Sequence, residues 1–297
     1  MSEITVLGLG KMGSALARAL LNDSWKVTVW NRTESKAKPL IEAGAELADN
    51  PASAILTSPV FIVCVLNYDI AQKILSQVEV RESLPGKVMI QLSSGTPREA
   101  HESKAWINRH QAEYLDGEIM VYPELIGKPD GEILIAGDET EFKRCEPLLK
   151  SLADNITYLG EEIGAPLAYG WAMGSVLWGA LLGALHGARI CEVEGLAIDQ
   201  FAQRLNKRDM DTINGAVQDI LNRIKEDRYD ESQGTLNVAA DAAERLLQHA
   251  YEAKINTDFP HYAATTLKKG IDAGLGHEDM AAFIKILRGS AENPDGQ

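Results

Sequence analysis

Ile4-Thr5-Val6-Leu7-Gly8-Leu9-Gly10-Lys11-Met12-Gly13-Ser14-Ala15-Leu16-Ala17-Arg18-Ala19-Leu20-Leu21 is the stretch on which the fold turns. Ile4 to Leu7 is short, apolar and β-branched, which reads as a buried strand. From Ser14 to Leu21, the residues Ala15, Leu16, Ala19 and Leu20 recur at helical spacing. Between strand and helix, Gly8, Gly10 and Gly13 stand in the pattern G-x-G-x-x-G, with Leu9, Lys11 and Met12 completing the loop. The context gives the pattern its value. Gly8 suits the tight turn, Gly10 lets backbone approach a diphosphate, Gly13 lets helix and strand pack closely, and the helix N-terminus offers N–H groups to an anion. A glycine-rich turn with no ligand is the plainer alternative.

Outward from this unit the pattern repeats. Lys26 to Trp30, Val60 to Val65 and Lys87 to Leu92 read as further buried strands, with shorter candidates at Tyr114 to Ile119, Glu132 to Ala136 and Ile156 to Leu159. Strands alternating with helical stretches imply a mostly parallel, doubly wound α/β sheet with right-handed crossovers, ending near residue 160. Beyond it the periods are helical only: Ala239, Ala242, Ala243, Leu246, Leu247, Ala250 and Tyr251 follow the i, i+3, i+4, i+7 rule. The division expected is a dinucleotide-binding domain over 1–162 and an all-α domain over 163–297, joined by a long inter-domain helix at about 163–192. A polar tail, Gly289 to Gln297, is expected to fray.

Ala165 to Ala188 carries no formally charged side chain and is long enough to be read as a membrane span. Glu161 and Glu162 before it, Glu192 and Glu194 after it, and Tyr169, Trp171, Ser175 and His186 within it lack the basic bias that orients a span. A buried helix explains the run better. Gly170 and Gly174, then Gly179, Gly183 and Gly187, recur every four residues and would let another helix approach closely. The expectation is a helix packed on all sides, reaching a second subunit. His186 on it is expected to be satisfied by a backbone group.

The chain has 297 residues, 29 Lys+Arg and 43 Asp+Glu, for a formal charge of −14. That excess of acid removes the electrostatic case for nucleic acid. Cys64, Cys145 and Cys191 are scattered, without metal-ligand spacing, which fits reduced thiols and no metal site. The N-terminal run shows no secretory pattern, so a cytoplasmic location without membrane attachment is expected.

The end of the second strand separates NAD from NADP, since an acidic side chain there holds a free ribose 2′-hydroxyl and an arginine accommodates a 2′-phosphate. Here the residues are Trp30-Asn31-Arg32-Thr33, with no carboxylate. Arg32 suits a phosphate, Asn31 and Thr33 offer hydrogen bonds, and Lys36 follows. The expectation is NADPH, against Arg32 and Lys36 as plain solvated cations. Val65, Leu66 and Asn67, and then Ser94, Gly95 and Thr96, follow strand ends, where doubly wound sheets bind ligands.

With these residues in view, VLGLGKMGSALARALL, VTVWNRTESKA, FIVCVLNYD, QLSSGTP and GEIMVYPELIG resemble the imine reductases, within the β-hydroxyacid dehydrogenase superfamily. The likeness covers nearly the whole chain, including a terminal GLGHEDMAAFIKILR similar to the end of the family's last helix. It implies a Rossmann domain, a long inter-domain helix and a 6-phosphogluconate dehydrogenase-like helical domain, in a domain-swapped homodimer whose active sites draw on both subunits. The superfamily's dehydrogenases place a catalytic lysine near the start of that helix. This chain has no lysine between Lys150 and Lys207, and Tyr169 stands where imine reductases carry Asp or Tyr.

The exchange has a physical logic. Hydride addition to a ketone develops negative charge on oxygen, which an ammonium stabilises. An iminium is already cationic, and a fixed lysine beside it would repel it, whereas a neutral phenol can hydrogen-bond to nitrogen. The reading is NADPH-dependent reduction of cyclic imines or iminium ions, with Tyr169 positioning or protonating the nitrogen; plain packing is its alternative. Met120, Tyr122, Trp171, Met173, Trp178 and Met210 are pocket candidates that core packing would equally explain. Asp241, with Arg245, Gln248 and Glu252 on a polar helix face, is a weaker candidate and suits a solvated carboxylate. Two rival functions stay open: a carbonyl or hydroxyacid dehydrogenase with a changed proton donor, and a non-catalytic NADP(H) sensor.

Overall fold

The computed structural model describes residues 3–230 and 234–289, and leaves the side chains of 207–209 undescribed. The expected fraying of 290–297 therefore lies outside the described residues. The chain divides into two compact units, Met1–Ser175 and Val176–Gln297.

The first unit is built on eight strands: β1 (Ile4–Leu7), β2 (Val27–Trp30), β3 (Glu46–Leu47), β4 (Val60–Val63), β5 (Val88–Gln91), β6 (Glu113–Ile119), β7 (Glu132–Gly137) and β8 (Asn155–Tyr158). Their spatial order is β3-β2-β1-β4-β5-β6-β7-β8. Neighbours are parallel except β6 and β7. That exception has a simple cause: only a loop with a 3-10 turn at Pro123–Leu125 joins them, and a parallel return needs a crossover. The order reverses between β1 and β4, so the carboxyl ends of these strands flank the crevice where such sheets take ligands.

Helices α1 (Lys11–Asn22), α2 (Lys38–Ile41), α3 (Pro51–Leu56), α4 (Tyr68–Leu75), α5 (Val78–Ser83), α6 (Pro97–Arg109) and α7 (Glu139–Lys150) cover the sheet. One apolar cluster unites Val6, Val29 and Ile62 with Leu16 and Leu20 of α1 and Leu149 of α7. The other unites Leu7, Phe61 and Met89 with Ile55, Leu75 and Ile107, and reaches Ile163 and Leu167. Both faces of β1 and β4 are thereby buried, which is why these strands read as continuous apolar runs. The two-residue β3 was not legible: both its residues are exposed, and two residues show no period. β4 also stops at Val63, two residues short of the expected end, because the chain already turns there toward the crevice.

A single helix, α8 (Ala165–Val193), runs through the boundary between the units. Within the single chain it is not packed on all sides. It is long and apolar enough to cross a membrane by length and composition, yet only 6% of its most apolar window is buried within this chain. Tyr169, Met173, Leu177, Leu181 and Leu185, at steps of four, are all exposed. An uncharged run says that a helix needs cover, and not which molecule supplies it. The glycines also divide their work. Gly174 and Gly179 face open space or nearly so, whereas Gly183 makes room for Phe259 and Gly187 for Phe201.

The second unit continues with α9 (Ile198–Arg204), α10 (Lys207–Lys225), α11 (Leu236–Glu252), α12 (Asp258–Asp272) and α13 (Ile284–Gly289). α11 and α12 pack together through Leu236, Ala243 and Ala250 on one side and Pro260, Ala264 and Gly270 on the other. The terminal GLGHEDMAAFIKILR does not end a long helix: it is a loop, a 3-10 turn at Met280–Phe283 and the short α13. Asp279 starts that turn, its carboxylate accepting from Ala281 N at 2.8 Å. His186 also departs from expectation, because its Nε2 is buried with no hydrogen-bond partner among the described residues.

Candidate active site

The glycine loop is shaped by two close approaches and one opening. Gly8 has φ +99°, and a Cβ on it would lie 2.3 Å from the Cys64 carbonyl oxygen. A Cβ on Gly13 would lie 2.0 Å from the Gly8 carbonyl oxygen. Gly10, the N-cap of α1, has φ −69° and nothing within 4 Å of its Cβ position. No side chain caps α1 and no acidic residue stands in its first turn. Its orphan N–H groups and positive dipole end therefore face open space that fits an anion. Lys11 is exposed at this end, and Met12 is half-buried beneath it.

Asn31 ties the end of β2 to this loop. Its Oδ1 accepts from Leu9 N at 2.9 Å and its Nδ2 donates to the Thr33 carbonyl at 2.9 Å. Part of its hydrogen-bonding capacity is thus structural. Arg32, Thr33 and Lys36 are exposed beside it, with Lys36 in a 3-10 turn at Glu34–Ala37.

Two more loops arrive from β4 and β5. Val65 N donates to Ser93 Oγ at 3.0 Å, which couples them. Leu66 is exposed, and Asn67 caps α4, its Oδ1 accepting from Ile70 N at 3.0 Å. Thr96 and Glu99 form a reciprocal capping box on α6, with Pro97 in its first turn. Ser94 is left exposed and Gly95 half-buried between these fixed points.

Beneath the loops lies a polar cluster that sequence reasoning missed. Tyr114, Asp116 and Glu118 alternate along one face of β6. The hydroxyls of Tyr68 and Tyr114 both donate to Asp116 Oδ1, that of Tyr114 at 2.8 Å. Asp116 Oδ2 and Gln91 Nε2, on paired positions of β6 and β5, are buried without hydrogen-bond partners among the described residues. Burial pushes the Asp116 carboxyl up to about 7, against the two tyrosine donors that pull it down, and the Glu118 charge adds to the rise. Burial alone pushes Glu118 up to about 7. It also pushes the hydroxyls of Tyr68 and Tyr114 well above the usual phenol range. The available signal was polar residues at every second position of a strand due to be buried on both faces.

The start of α8 closes this cluster into a ring of contacts. Trp171 Nε1 donates to the Gly95 carbonyl at 2.7 Å. Gly95 lies on the Tyr68 ring, where a Cβ would come within 2.2 Å of Cδ2. Gly170 lies on Glu118, where a Cβ would meet Cγ at 2.7 Å and Oε1 at 3.0 Å. Gly170 therefore serves a carboxylate and not a neighbouring helix. Tyr169, the expected catalytic residue, is beside it and 58% exposed.

Of the pocket candidates, Met120 and Tyr122 follow β6, and Tyr122, Trp171 and Met173 are exposed in the first unit. Trp178, Met210 and Asp241 belong to the second unit. Trp178 and Met210 are exposed rather than core, and Asp241 is exposed and paired with Arg245 at 2.9 Å.

Residues 3–160 match the model of the NAD binding domain of 6-phosphogluconate dehydrogenase, and residues 162–289 that of the NADPH-dependent reductive aminase-like C-terminal domain. An imine reductase from Myxococcus stipitatus, solved with NADP+, is 33% identical; the match covers 96% of this chain and 99% of that one, with a TM-score of 0.92. A reductive aminase from Aspergillus terreus, solved with NADPH4, cyclohexanone and allyl amine, is 27% identical over 97% of this chain and 99% of that one, with a TM-score of 0.89. An NADPH-dependent reductive aminase from Aspergillus oryzae is 28% identical over 96% of this chain and 97% of its own length. Glycine loop, helical C-terminal unit and full-length likeness agree: the chain belongs to the imine reductase family, NADPH-dependent oxidoreductases that reduce C=N bonds.

Proposed function

We propose that this enzyme reduces cyclic imines and preformed iminium ions to amines, in the cytoplasm and as a domain-swapped homodimer. The observation that carries the substrate reading is the chemistry of α8: it has no charged side chain before Arg189, and Tyr169 stands near its start, next in sequence to Gly170, on which the Glu118 carboxyl rests. An ammonium suited to a developing alkoxide is missing from that helix, and an electrophile that is already cationic does not need one.

NADPH, when bound, supplies the hydride for the C=N carbon. Gly8, Leu9, Gly10, Lys11, Met12 and Gly13 would hold its diphosphate at the α1 N-terminus. Asn31, Arg32, Thr33 and Lys36 would hold the 2′-phosphate, Arg32 by its planar fork of donors. Val65, Leu66, Asn67, Ser94, Gly95 and Thr96 would line the nicotinamide half. Tyr169 holds the substrate nitrogen by its hydroxyl and passes it a proton where the substrate is a neutral imine.

The bare face of α8 supports the dimer. Large apolar side chains at every turn from Tyr169 to Leu185 remain about half exposed in the single chain, a patch beyond what a soluble monomer leaves uncovered. A second copy, presenting the same surface about a two-fold axis, is the occupant that a homodimer provides.

NADPH oxidation should be followed with 2-methyl-1-pyrroline and with a panel of β-hydroxyacids and NADP+. Imine-dependent turnover, falling about 100-fold or more in Tyr169→Phe, is expected. Turnover of hydroxyacids alone would overturn the reading in favour of an altered dehydrogenase, and tight NADPH binding without any turnover would favour a sensor. Full activity of Tyr169→Phe across the pH range would reduce Tyr169 to packing.

A further inference from the structure

We propose that Glu118 is the substrate-recognition carboxylate of this site, holding the positive nitrogen of an iminium or protonated imine by charge attraction, with a hydrogen bond added where that nitrogen carries a proton. The inference rests on the C=N reading above and adds a residue to it.

Three observations place Glu118 in this role. It is at the carboxyl end of β6, among the loops at the carboxyl ends of β4 and β5. Its side chain rests on Gly170, between Tyr169 and Trp171 in sequence, and Trp171 is anchored to Gly95. It is half-buried, yet no ion pair or hydrogen bond of its carboxylate is found among the described residues. Withdrawing a carboxylate from water without a partner is unfavourable, and such groups are normally paired. A ligand bearing the opposite charge would complete it.

Among the described residues no cation faces it, and burial is the sole cause of its raised carboxyl. From its own strand, Glu118 is faced by Asp116, which carries the hydrogen bonds of Tyr68 from α4 and Tyr114 from β6. From α8, Gly170 lies against it with Tyr169 adjacent, and its register partner on β7 is Leu134. All the titratable groups among these are acids or phenols. Burial holds the Glu118 carboxyl up to about 7, so a cation arriving above that pH finds a carboxylate and one arriving below it finds a neutral acid. A carboxylate at this place distinguishes a cationic nitrogen from a carbonyl oxygen, which would be repelled as its negative charge develops.

The test uses Glu118→Gln, which keeps the shape against Gly170, and Glu118→Asp, which keeps the charge. N,N-dimethylpyrrolidinium, a permanent cation, is titrated calorimetrically into each protein saturated with NADP+ at about pH 8. The expected result is binding weakened about 10- to 100-fold in Glu118→Gln, through loss of the charge attraction, and less in Glu118→Asp, with unchanged NADP+ affinity. With an N-methyl cyclic iminium as substrate, KM should rise by a similar factor while kcat changes less. Wild-type affinity for the probe should fall as pH drops through about 7, and that of Glu118→Gln should stay flat. Equal probe affinity and equal pH profiles in wild type and Glu118→Gln, with C=N reduction intact, would overturn this inference alone. A wild type that reduces no C=N substrate would overturn the catalytic reading and this inference with it.

Discussion

Substituting Gly10 and Gly13 by alanine should separate folding from cofactor binding within one short loop. At Gly13 the added methyl would sit 2.0 Å from the Gly8 carbonyl oxygen, and relief to an ordinary contact needs a retreat of about 1.4 Å. Neither side yields cheaply: Gly8 itself has φ +99° and lies against the Cys64 carbonyl, and α1 is packed through Leu16, Ala17 and Leu20. Overpacking against backbone should cost Gly13→Ala about 1–3 kcal/mol of stability. At Gly10 nothing lies within 4 Å and φ is −69°, so alanine meets no strain. Its small loss as an N-cap and its gain from a stiffer unfolded chain roughly cancel, which leaves stability within about 1 kcal/mol. The methyl instead enters the space over the α1 N–H groups. Weakening one charge-assisted hydrogen bond to a diphosphate by that displacement loses about 1.5–3 kcal/mol, or roughly 10- to 100-fold in NADPH affinity. Urea unfolding and NADPH fluorescence titration read the two effects separately. Wild-type NADPH affinity in Gly10→Ala, or wild-type stability in Gly13→Ala, would refute the assignment of the open space and of the close packing respectively.

Arg32→Ala should raise the KM for NADPH about 10- to 100-fold while leaving that for NADH nearly unchanged, since Arg32 is exposed and its proposed task concerns only the 2′-phosphate. Leu181→Glu, in the middle of the bare face of α8, should shift the protein from dimer to monomer in light scattering and abolish turnover. Asp116 is held neutral up to about 7 in the folded protein but ionises near 3.8 when unfolded. The folded state therefore keeps a proton the unfolded state has lost, and the advantage disappears as pH rises through this window. Between about pH 5 and pH 8 that should remove about 3 kcal/mol from the wild type relative to Asp116→Asn, whose amide oxygen still accepts from both tyrosines. Parallel stability curves for the two proteins across that range would contradict the raised carboxyl.

The parts of the molecule legible in the sequence were those with a period or a fixed spacing. The first strand and helix, the alternation to β8 and the helical second half follow from apolar spacing, because burial imposes that spacing directly. The Gly8–Gly13 loop was legible from its fixed spacing, in which Gly8 and Gly13 answer close approaches that a Cβ would block and Gly10 leaves open space at the helix end. What was not legible depended on long-range partners. Nothing local marks Gly170 as the seat of Glu118, since the same glycine also fits a four-residue helix stripe. Asp116 showed in the sequence only as part of the polar alternation of β6, and its burial was not legible because one of the tyrosines that satisfy it lies on α4, 48 positions away. How much of the cover of α8 comes from its own chain was not legible, because an uncharged run carries the same pattern whether its cover is the same chain or another copy.

The charge pattern at the sheet's carboxyl edge weighs against the nearer rival function. A β-hydroxyacid brings its own carboxylate, and a site for it needs a cation near the reacting carbon. Among the described residues, the titratable groups found against Gly95 and Gly170 and in the cluster behind them are Tyr68, Tyr114, Asp116 and Glu118, every one of them an acid or a phenol. An anionic substrate would force the two carboxyls to stay protonated and would find no donor stronger than a phenol to hold its own charge. A cationic nitrogen meets the reverse situation: its approach favours ionisation of Glu118 and supplies the counter-ion that the half-buried side chain lacks. In the proposed recognition, the Glu118 carboxyl that is unfavourable without a partner becomes the means of discrimination, and a preference for C=N over C=O follows from which ligand relieves that condition.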